Sequence, residues 1–464
     1  MCRAPDTPAR RTRSQTSKAR TAARVADEFG GTWGTAAIIV FSHAVTYGLY
    51  LALEGDTSPL PQSGEGLGAY ADRVAAGLAG AAPTLAGLQL YGGFVLGTAL
   101  LSAYCPGIPV RGRPLPSLGG QSLDYVCNGV AVWWATLAVL AAGQVTGVLP
   151  LAVWTGEHFG SILTWSVIFG DGIAVGLYAY CVFTNTAEGA TGRPIYDVFM
   201  GVSLNPRIGR LDLKMWSELR VPWILLFVLT ASCAAREAER FGRVSAPLAF
   251  MVLAHGLYAN ACAKGDHCVP TTWDIFHEKW GWMLIFWNFC GVPLTYCVSA
   301  RWLLLYPDRA GGGAPLAHST AYTVFCFALL LAAYYVFDTA NAQKNEFRLR
   351  RAGSKIERKA FPQLPWGVLK KPKFLTTRNG GELLVDGWYG YARKPHYTAD
   401  IVQALCWGLI CGFSEFLPYW YVCFFTPMII HRAVRDDTRC SAKYGDDWRV
   451  YTAMVPYVFV PGVV

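Results

Sequence analysis

Charge is scarce in this sequence: 15% of its 464 residues are Asp, Glu, Lys or Arg, against 53% hydrophobic. So few charges make a poor soluble surface for a chain of this length, whereas a bilayer solvates apolar side chains well. The 14 cysteines include no C-x-x-C pair and no zinc-ligand spacing, so neither a disulfide framework nor a metal site is indicated. There is no N-x-S/T sequon, which is consistent with short lumenal loops. No basic stub runs straight into a short apolar region with a cleavage site, which argues against a removed secretory signal. No repeat of solenoid length and no sustained heptad pattern occur, so the chain is expected to fold as one unit.

What the sequence does contain is long apolar runs, at 34–53, 86–105, 122–142, 158–183, 221–235, 245–263, 281–305, 320–337 and 399–430. The last is long enough for two spans joined near Glu415. Only helices and closed barrels satisfy the backbone in lipid, and barrels show alternating strands instead. The expected fold is therefore all-α, a polytopic transmembrane helical bundle of about nine or ten spans. The net charge of +9 is concentrated between the spans. Arg3, Arg10, Arg11, Arg13, Lys18, Arg20 and Arg24 precede the first span, and Lys344 to Lys373 hold ten Lys or Arg against Glu346 and Glu357. Both segments are expected to face the cytosol. The N-terminal arm, rich in Arg and poor in acids, also fits an organelle transit peptide.

The Gly-, Ser- and Pro-containing stretch from Glu54 to Pro83 reads as a flexible surface loop. Within it, Gly64-Glu65-Gly66-Leu67-Gly68-Ala69 has the spacing of a dinucleotide fingerprint. With no strand before it and no βαβ unit around it, the match is coincidental. The one substantial polar stretch, 341–398, is dense in proline and aromatics and is expected to form a small structured cytosolic insertion against the bundle.

Four constellations could carry chemistry. Arg432, Asp436, Cys440 and Tyr444 recur at intervals of four and so fall along one stripe of a helix. Arg suits phosphate, Asp suits ribose hydroxyls or an amide, and Tyr can stack or hydrogen-bond; a solvated helix laced by salt bridges is the competing reading. Lys344 and Arg348 share a face at the end of the span that finishes near Asp338, where with Arg432 they would favour a polyanion, whether a phosphorylated dinucleotide or a lipid headgroup. The segment from Asp386 to Asp400 packs glycines, aromatics and cations into a short re-entry. There Trp388 and Tyr389 suit a flat ring, with an interfacial aromatic belt as the competing reading, and Arg393, His396 and Asp400 are the polar candidates beside them. Asp274, His277 and Glu278 sit at i, i+3 and i+4 at a span boundary, where ionisable groups are costly unless paired or used.

Together these segments resemble the sterol reductase family, which includes sterol Δ14-reductases, 7-dehydrocholesterol reductases, sterol C-24(28) reductases and the membrane part of the lamin B receptor. The resemblance runs from about Phe29 to the end of the chain, weakening at 54–83, and rests on GVSLNPRIGRLDLKMWSELR at 201–220 and the final stretch from His431, HRAVRDDTRCSAKYGDDWRVYTAMVPYVFVPG. It implies a multi-pass endoplasmic reticulum protein that binds NADPH on the cytosolic side near the C-terminal spans. A sterol substrate would enter from the bilayer, with membrane lipids and other sterol-biosynthesis enzymes as partners and no nucleic acid. It divides the chain into a basic arm at 1–28, spans with the sterol pocket at 29–340 and a cofactor-binding region at 341–464. Lys344, Arg348, Trp388, Arg432, Asp436, Cys440 and Tyr444 match positions that line the nucleotide pocket of relatives. Residues 260–297 and FPQLPWGVLKKP at 361–372 look most like the C-24(28) branch. Tyr-Cys-Pro-Gly at 104–107 departs from the Leu-Pro-Gly common in relatives.

Reducing an isolated alkene requires a proton before a hydride, hence a buried acid, a nearby nicotinamide and a dry cavity. Asp274 and Glu278 are the expected acid or its relay, His277 its orienter and Tyr296 a further option. The rival readings are a Δ7 or Δ14 reductase, a membrane lipid methyltransferase, and a non-catalytic sterol-binding or tethering protein. Against the last, the short arm before the first span is expected to be too small for a nucleoplasmic domain.

Overall fold

The computed structural model describes residues 28–54, 58–351, 353 and 362–463. The N-terminal basic residues up to Arg24, Glu357 and the cations at 355, 358 and 359 lie outside the described residues. Among the described residues, eight helices are long and apolar enough to cross a membrane. They are α1 Glu28–Glu54, α2 Leu85–Tyr104, α3 Gly129–Thr146, α4 Phe159–Phe183, α5 Leu213–Phe241, α6 Ala246–Lys264, α7 Trp282–Arg309 and α8 Thr320–Arg351. The run at 399–430 forms the two helices expected of it, α9 Pro395–Leu409 and α10 Trp420–Tyr444, with Glu415 between them. Fifteen residues make α9 about 22 Å long, short of a hydrocarbon core of about 30 Å, and α10 turns polar in its second half. A last helix, α11, covers Asp446–Met454.

α7 is the best buried span, with 83% of its apolar stretch buried, whereas α1 to α4 bury 28% of theirs, as helices facing lipid do. At Trp287–Thr295 α7 widens into a π-helix containing Pro293, and the Tyr91 hydroxyl donates to the Phe289 carbonyl there at 2.8 Å. The stretch 54–83, expected as a flexible loop, instead contains a helix at Leu67–Leu78. Leu67, Tyr70, Val74 and Leu78 supply a helical apolar spacing that the surrounding small residues obscure. Arg73 pairs with Glu65 at 2.7 Å, holding that carboxyl down at about 2. The glycine-rich hexapeptide is thus the entry to a surface helix, with no strand before it.

Among the described residues, the connections at one end of the bundle carry short helices and hairpins, and together these form a polar cap. It includes the hairpin β1 Ile108–Leu115 with β2 Gln121–Cys127 and the short pair β3 Arg207–Ile208 with β4 Leu211–Asp212. A further hairpin, β5 Phe374–Thr376 with β6 Glu382–Leu384, lies between α8 and α11. Alternation sends Phe374 and Leu384 to the α8 side with Phe347, and Leu375 and Leu383 to the side of Trp448 and Tyr451. The opposite end is tied by Arg301 with Glu54, Arg240 with Asp308 at 2.7 Å and Arg309 with Glu415 at 2.9 Å.

Below the cap, buried charges pair across helices. Arg220 grips both oxygens of Asp266 at 2.8 Å and donates to Asn128 at 2.9 Å, while Asp266 accepts from the Gly129 amide at 2.8 Å. One carboxylate thereby joins the starts of α3 and α5 to the end of α6. Removing one member of such a pair leaves an uncompensated charge, which costs about 3–5 kcal/mol. Asp266→Asn is expected to lower the unfolding temperature of the purified protein, and Arg220→Met combined with Asp266→Leu to recover part of the loss. An unchanged melting curve for the single variant would refute this.

Candidate functional site

α8 does not stop at the membrane. Its 32 residues continue unbroken through Lys344 and Arg348 into the cap. Gln343, 1% exposed, anchors the re-entry segment on it: its Oε1 accepts from the Trp388 amide at 3.0 Å and its Nε2 donates to the Trp366 carbonyl at 2.8 Å. Gly387 sits at φ +58, where a Cβ would lie 2.3 Å from Gln343 Oε1, so only glycine allows this approach. Asp386 accepts from the amides of Gly387 at 2.8 Å and Lys373 at 3.0 Å, and these donors hold its carboxyl below the usual range. The Trp388 indole donates to Thr339 at 2.8 Å and meets Trp366 edge-on at 4.9 Å.

The next side chain, Tyr389, is the hub. It is 2% exposed, lies under the Lys344 ammonium at 5.4 Å and meets His396 Nδ1 at 3.3 Å. Burial pushes its hydroxyl above the usual range, and the nearby Arg348 charge pulls it back. Across from it, α10 carries the predicted stripe on one continuous helix. Asp436 pairs with Lys394, Cys440 packs with Trp448 and Tyr451, and Tyr444 stacks on Trp448 at 6.2 Å. Arg393 stands at the edge of this wall, 3.8 Å from Asp437 of α10, and donates to the carbonyls of Val455 and Pro456 at 3.0 and 2.9 Å, thereby clamping the C-terminal segment. Among the described residues neither Lys344 nor Arg348 forms an ion pair. Two basic side chains outside any ion pair, with a buried phenol and the Asp436 carboxylate near them, make a donor set that fits a phosphorylated dinucleotide.

Asp274, His277 and Glu278 do not share a helical face as expected. The helix there is only Trp273–Phe276, and the chain then turns so that the Trp280 amide reaches the Ser203 carbonyl at 2.9 Å. His277 is exposed and packs on Trp273, ring centroids 3.7 Å apart, and Glu278 accepts from the Trp273 indole at 2.6 Å. Asp274 lies 3.4 Å from Arg432, and Arg439 stacks over Trp273 at 3.9 Å. The upstream segment and the α10 stripe thus meet, through an ion pair that neither sequence segment announces.

Below the wall, α9 runs down into the bundle. His396, Asp400, Gln403 and Trp407 follow one another at helical spacing along one side. Asp400 is buried and accepts from the Tyr258 hydroxyl at 3.4 Å. Asp400 Oδ1, Gln403 Nε2 and Trp407 Nε1 are buried with no hydrogen-bond partner among the described residues. Ten further buried polar atoms lack a partner among the described residues, but these three line up on one side of one helix, where a bound group or reacting atom would satisfy them together. Around them stand Tyr296 and Tyr421, ring centroids 4.2 Å apart, and Trp407 stacked on Tyr421 at 4.5 Å. Gln343, Lys394, Gln403, Trp407 and Tyr258 were not among the sequence candidates. The 396–400–403–407 polar spacing on an otherwise apolar segment was a usable signal for the α9 members. Nothing in the sequence singles out Tyr258.

A family model described as the ergosterol biosynthesis ERG4/ERG24 family matches residues 24–464. A Delta(24(24(1)))-sterol reductase of Aspergillus fumigatus is 39% identical over 438 residues, covering 94% of this chain and 92% of that protein. One from Gibberella zeae is 41% identical over 446 residues, covering 94% and 73%. A Delta(14)-sterol reductase of Dictyostelium discoideum is 33% identical over 449 residues, covering 95% and 92%. With a match this long laid over a many-span bundle whose polar cap converges on one wall, the chain belongs to the ERG4/ERG24 family of sterol reductases.

Proposed function

We propose that this protein uses NADPH to reduce the Δ24(24(1)) double bond, the C-24(28) methylene, of an ergosterol-type sterol in the endoplasmic reticulum membrane. One observation carries the reading: the unpaired cations Lys344 and Arg348 stand beside a helix, α9, whose interior side bears a line of unpartnered polar atoms. Phosphate recognition and a desolvated reaction chamber are thereby contiguous. The names of the Aspergillus and Gibberella relatives support the choice of double bond.

Bound NADPH would supply the hydride. Lys344 and Arg348 would hold its phosphates, Asp436 a ribose hydroxyl or amide, and Tyr389 and His396 the boundary with the chamber. Asp400 is the better placed acid, because its Oδ2 is held by Tyr258 while Oδ1 is buried with no hydrogen-bond partner among the described residues. A proton delivered from Oδ1 to C28 leaves a tertiary cation at C24, and hydride addition at C24 completes the reduction. The aromatic walls of Tyr296, Tyr421 and Trp407 exclude water that would trap the cation. Asp274, paired with Arg432, is assigned to orienting that guanidinium on the cofactor wall rather than to protonation.

Lys344→Ala and Arg348→Ala are each expected to raise the KM for NADPH by roughly tenfold or more, the equivalent of a lost charge-assisted hydrogen bond. Activity with NADPH at wild-type KM would exclude them from the wall. Asp400→Asn is expected to lower kcat by about 10²–10⁴, as for loss of a general acid, while NADPH still protects the protein from unfolding. Alanine at both Asp274 and Glu278 should keep the proton step; if that double variant loses kcat and Asp400→Asn does not, the assignment is reversed. Membranes given NADPH and a mixture of Δ7, Δ14 and 24(28) sterols should consume the 24(28) pool, read by mass spectrometry. Consumption of the Δ7 or Δ14 pool alone would move the protein to another branch of the family.

A further inference from the structure

The basic run after α8 is only partly used by the cofactor wall. Lys344 covers Tyr389, but Arg350, Arg351, Lys370 and Lys371 line a cavity of about 380 Å³ between α8 and the segment leading to β5, which borders the wall at Gln343 and includes neither Lys344 nor Arg348. Phe347, Leu369 and Phe374 form its apolar part, and Glu346 is the one carboxylate among the lining residues. The cavity is within the size range of small-ligand sites, about 300–1,000 Å³.

Its cations are not equivalent. Arg351 is fixed, stacked on Phe374 at 3.9 Å and paired with Glu382 at 2.7 Å. Arg350 stands at 3.7 Å from Glu346, a loose contact. Lys370 and Lys371 are exposed and, among the described residues, form no ion pair. Four cations around one carboxylate, two of them unpaired, describe a receptor for an anion carrying more than one negative charge. The same segment exposes Trp366 and Val368, 43% and 46% accessible, just before these lysines and at the polar end of a span. An exposed Trp beside lysines just past a span is the pattern of a segment lying on the headgroup region of a bilayer.

We propose that this cavity binds the phosphorylated headgroup of an anionic membrane lipid of the phosphoinositide class, with Lys370, Lys371 and Arg350 as phosphate ligands and Trp366 and Val368 toward the acyl chains. The site adjoins the cofactor wall at Gln343, uses none of its proposed phosphate ligands and needs no turnover to be occupied.

The test uses the purified full chain in detergent and native mass spectrometry with short-chain phosphatidylinositol 4-phosphate, phosphatidylcholine, soluble inositol 1,4-bisphosphate and NADPH as probes. The phosphoinositide should be retained at least about tenfold more tightly than phosphatidylcholine, with retention falling as salt rises. Lys370→Gln with Lys371→Gln should abolish that preference while sterol reduction and NADPH protection stay at wild-type level, which also shows the variant is folded. Equal retention of the two lipids, or an unchanged preference in the double variant, overturns the site. Binding of the soluble headgroup as tight as that of the lipid overturns the membrane source in favour of a free phosphate. Displacement of the lipid by NADPH shows the cavity to be part of the cofactor wall and likewise overturns the proposal.

Discussion

The arrangement depends on one helix that is longer than the membrane. The 32 residues of α8 span about 48 Å, whereas a hydrocarbon core takes about 30 Å, so its last turns must stand in the polar cap. Because the helix is unbroken, Gln343, Lys344, Phe347 and Arg348 are presented at fixed angles from a rigid post. Gln343 ties down the Trp388 segment, Lys344 covers Tyr389, and Phe347 packs the β5–β6 hairpin. A helix ending at the membrane surface would leave each of these to a loop.

The solvent explains why polar chemistry collects at one end and descends along a single helix. Charges in hydrocarbon are costly, so those that lie within the bundle are paired, as Arg220 with Asp266 and Lys264 with Asp338 at 2.7 Å. Asp400 Oδ1, Gln403 Nε2 and Trp407 Nε1 differ from the other unpartnered buried atoms in lying together along one side of a single helix. A cofactor held at the cap and a sterol held among the aromatics would meet across the first turns of α9, where His396 and Asp400 lie.

The span pattern was legible because the apolar periodicity of a membrane helix is long and strong, and the α10 stripe because four-residue spacing on a helix is a local geometric fact. The short helix at Leu67–Leu78 was missed because its apolar residues are diluted by small ones, and the Asp274–Glu278 face failed because Gly281 and the contact with Ser203 end the helix at Phe276. Arg393 shows the same limit: a cation between aromatics suggests ligand contact, yet here it holds backbone carbonyls of the C-terminal segment.

Composition and periodicity alone determined that this is a many-helix membrane chain, since the bilayer admits few ways to satisfy a backbone. Local spacing determined which residues share a face on α8 and α10. Tertiary structure decided which faces meet: Asp274 with Arg432, Tyr389 with Lys344 and His396, Tyr258 with Asp400. Those contacts join residues up to 158 positions apart in the chain. They follow from how the helices pack, which no single segment encodes, because each helix fixes its own angles but not its neighbours.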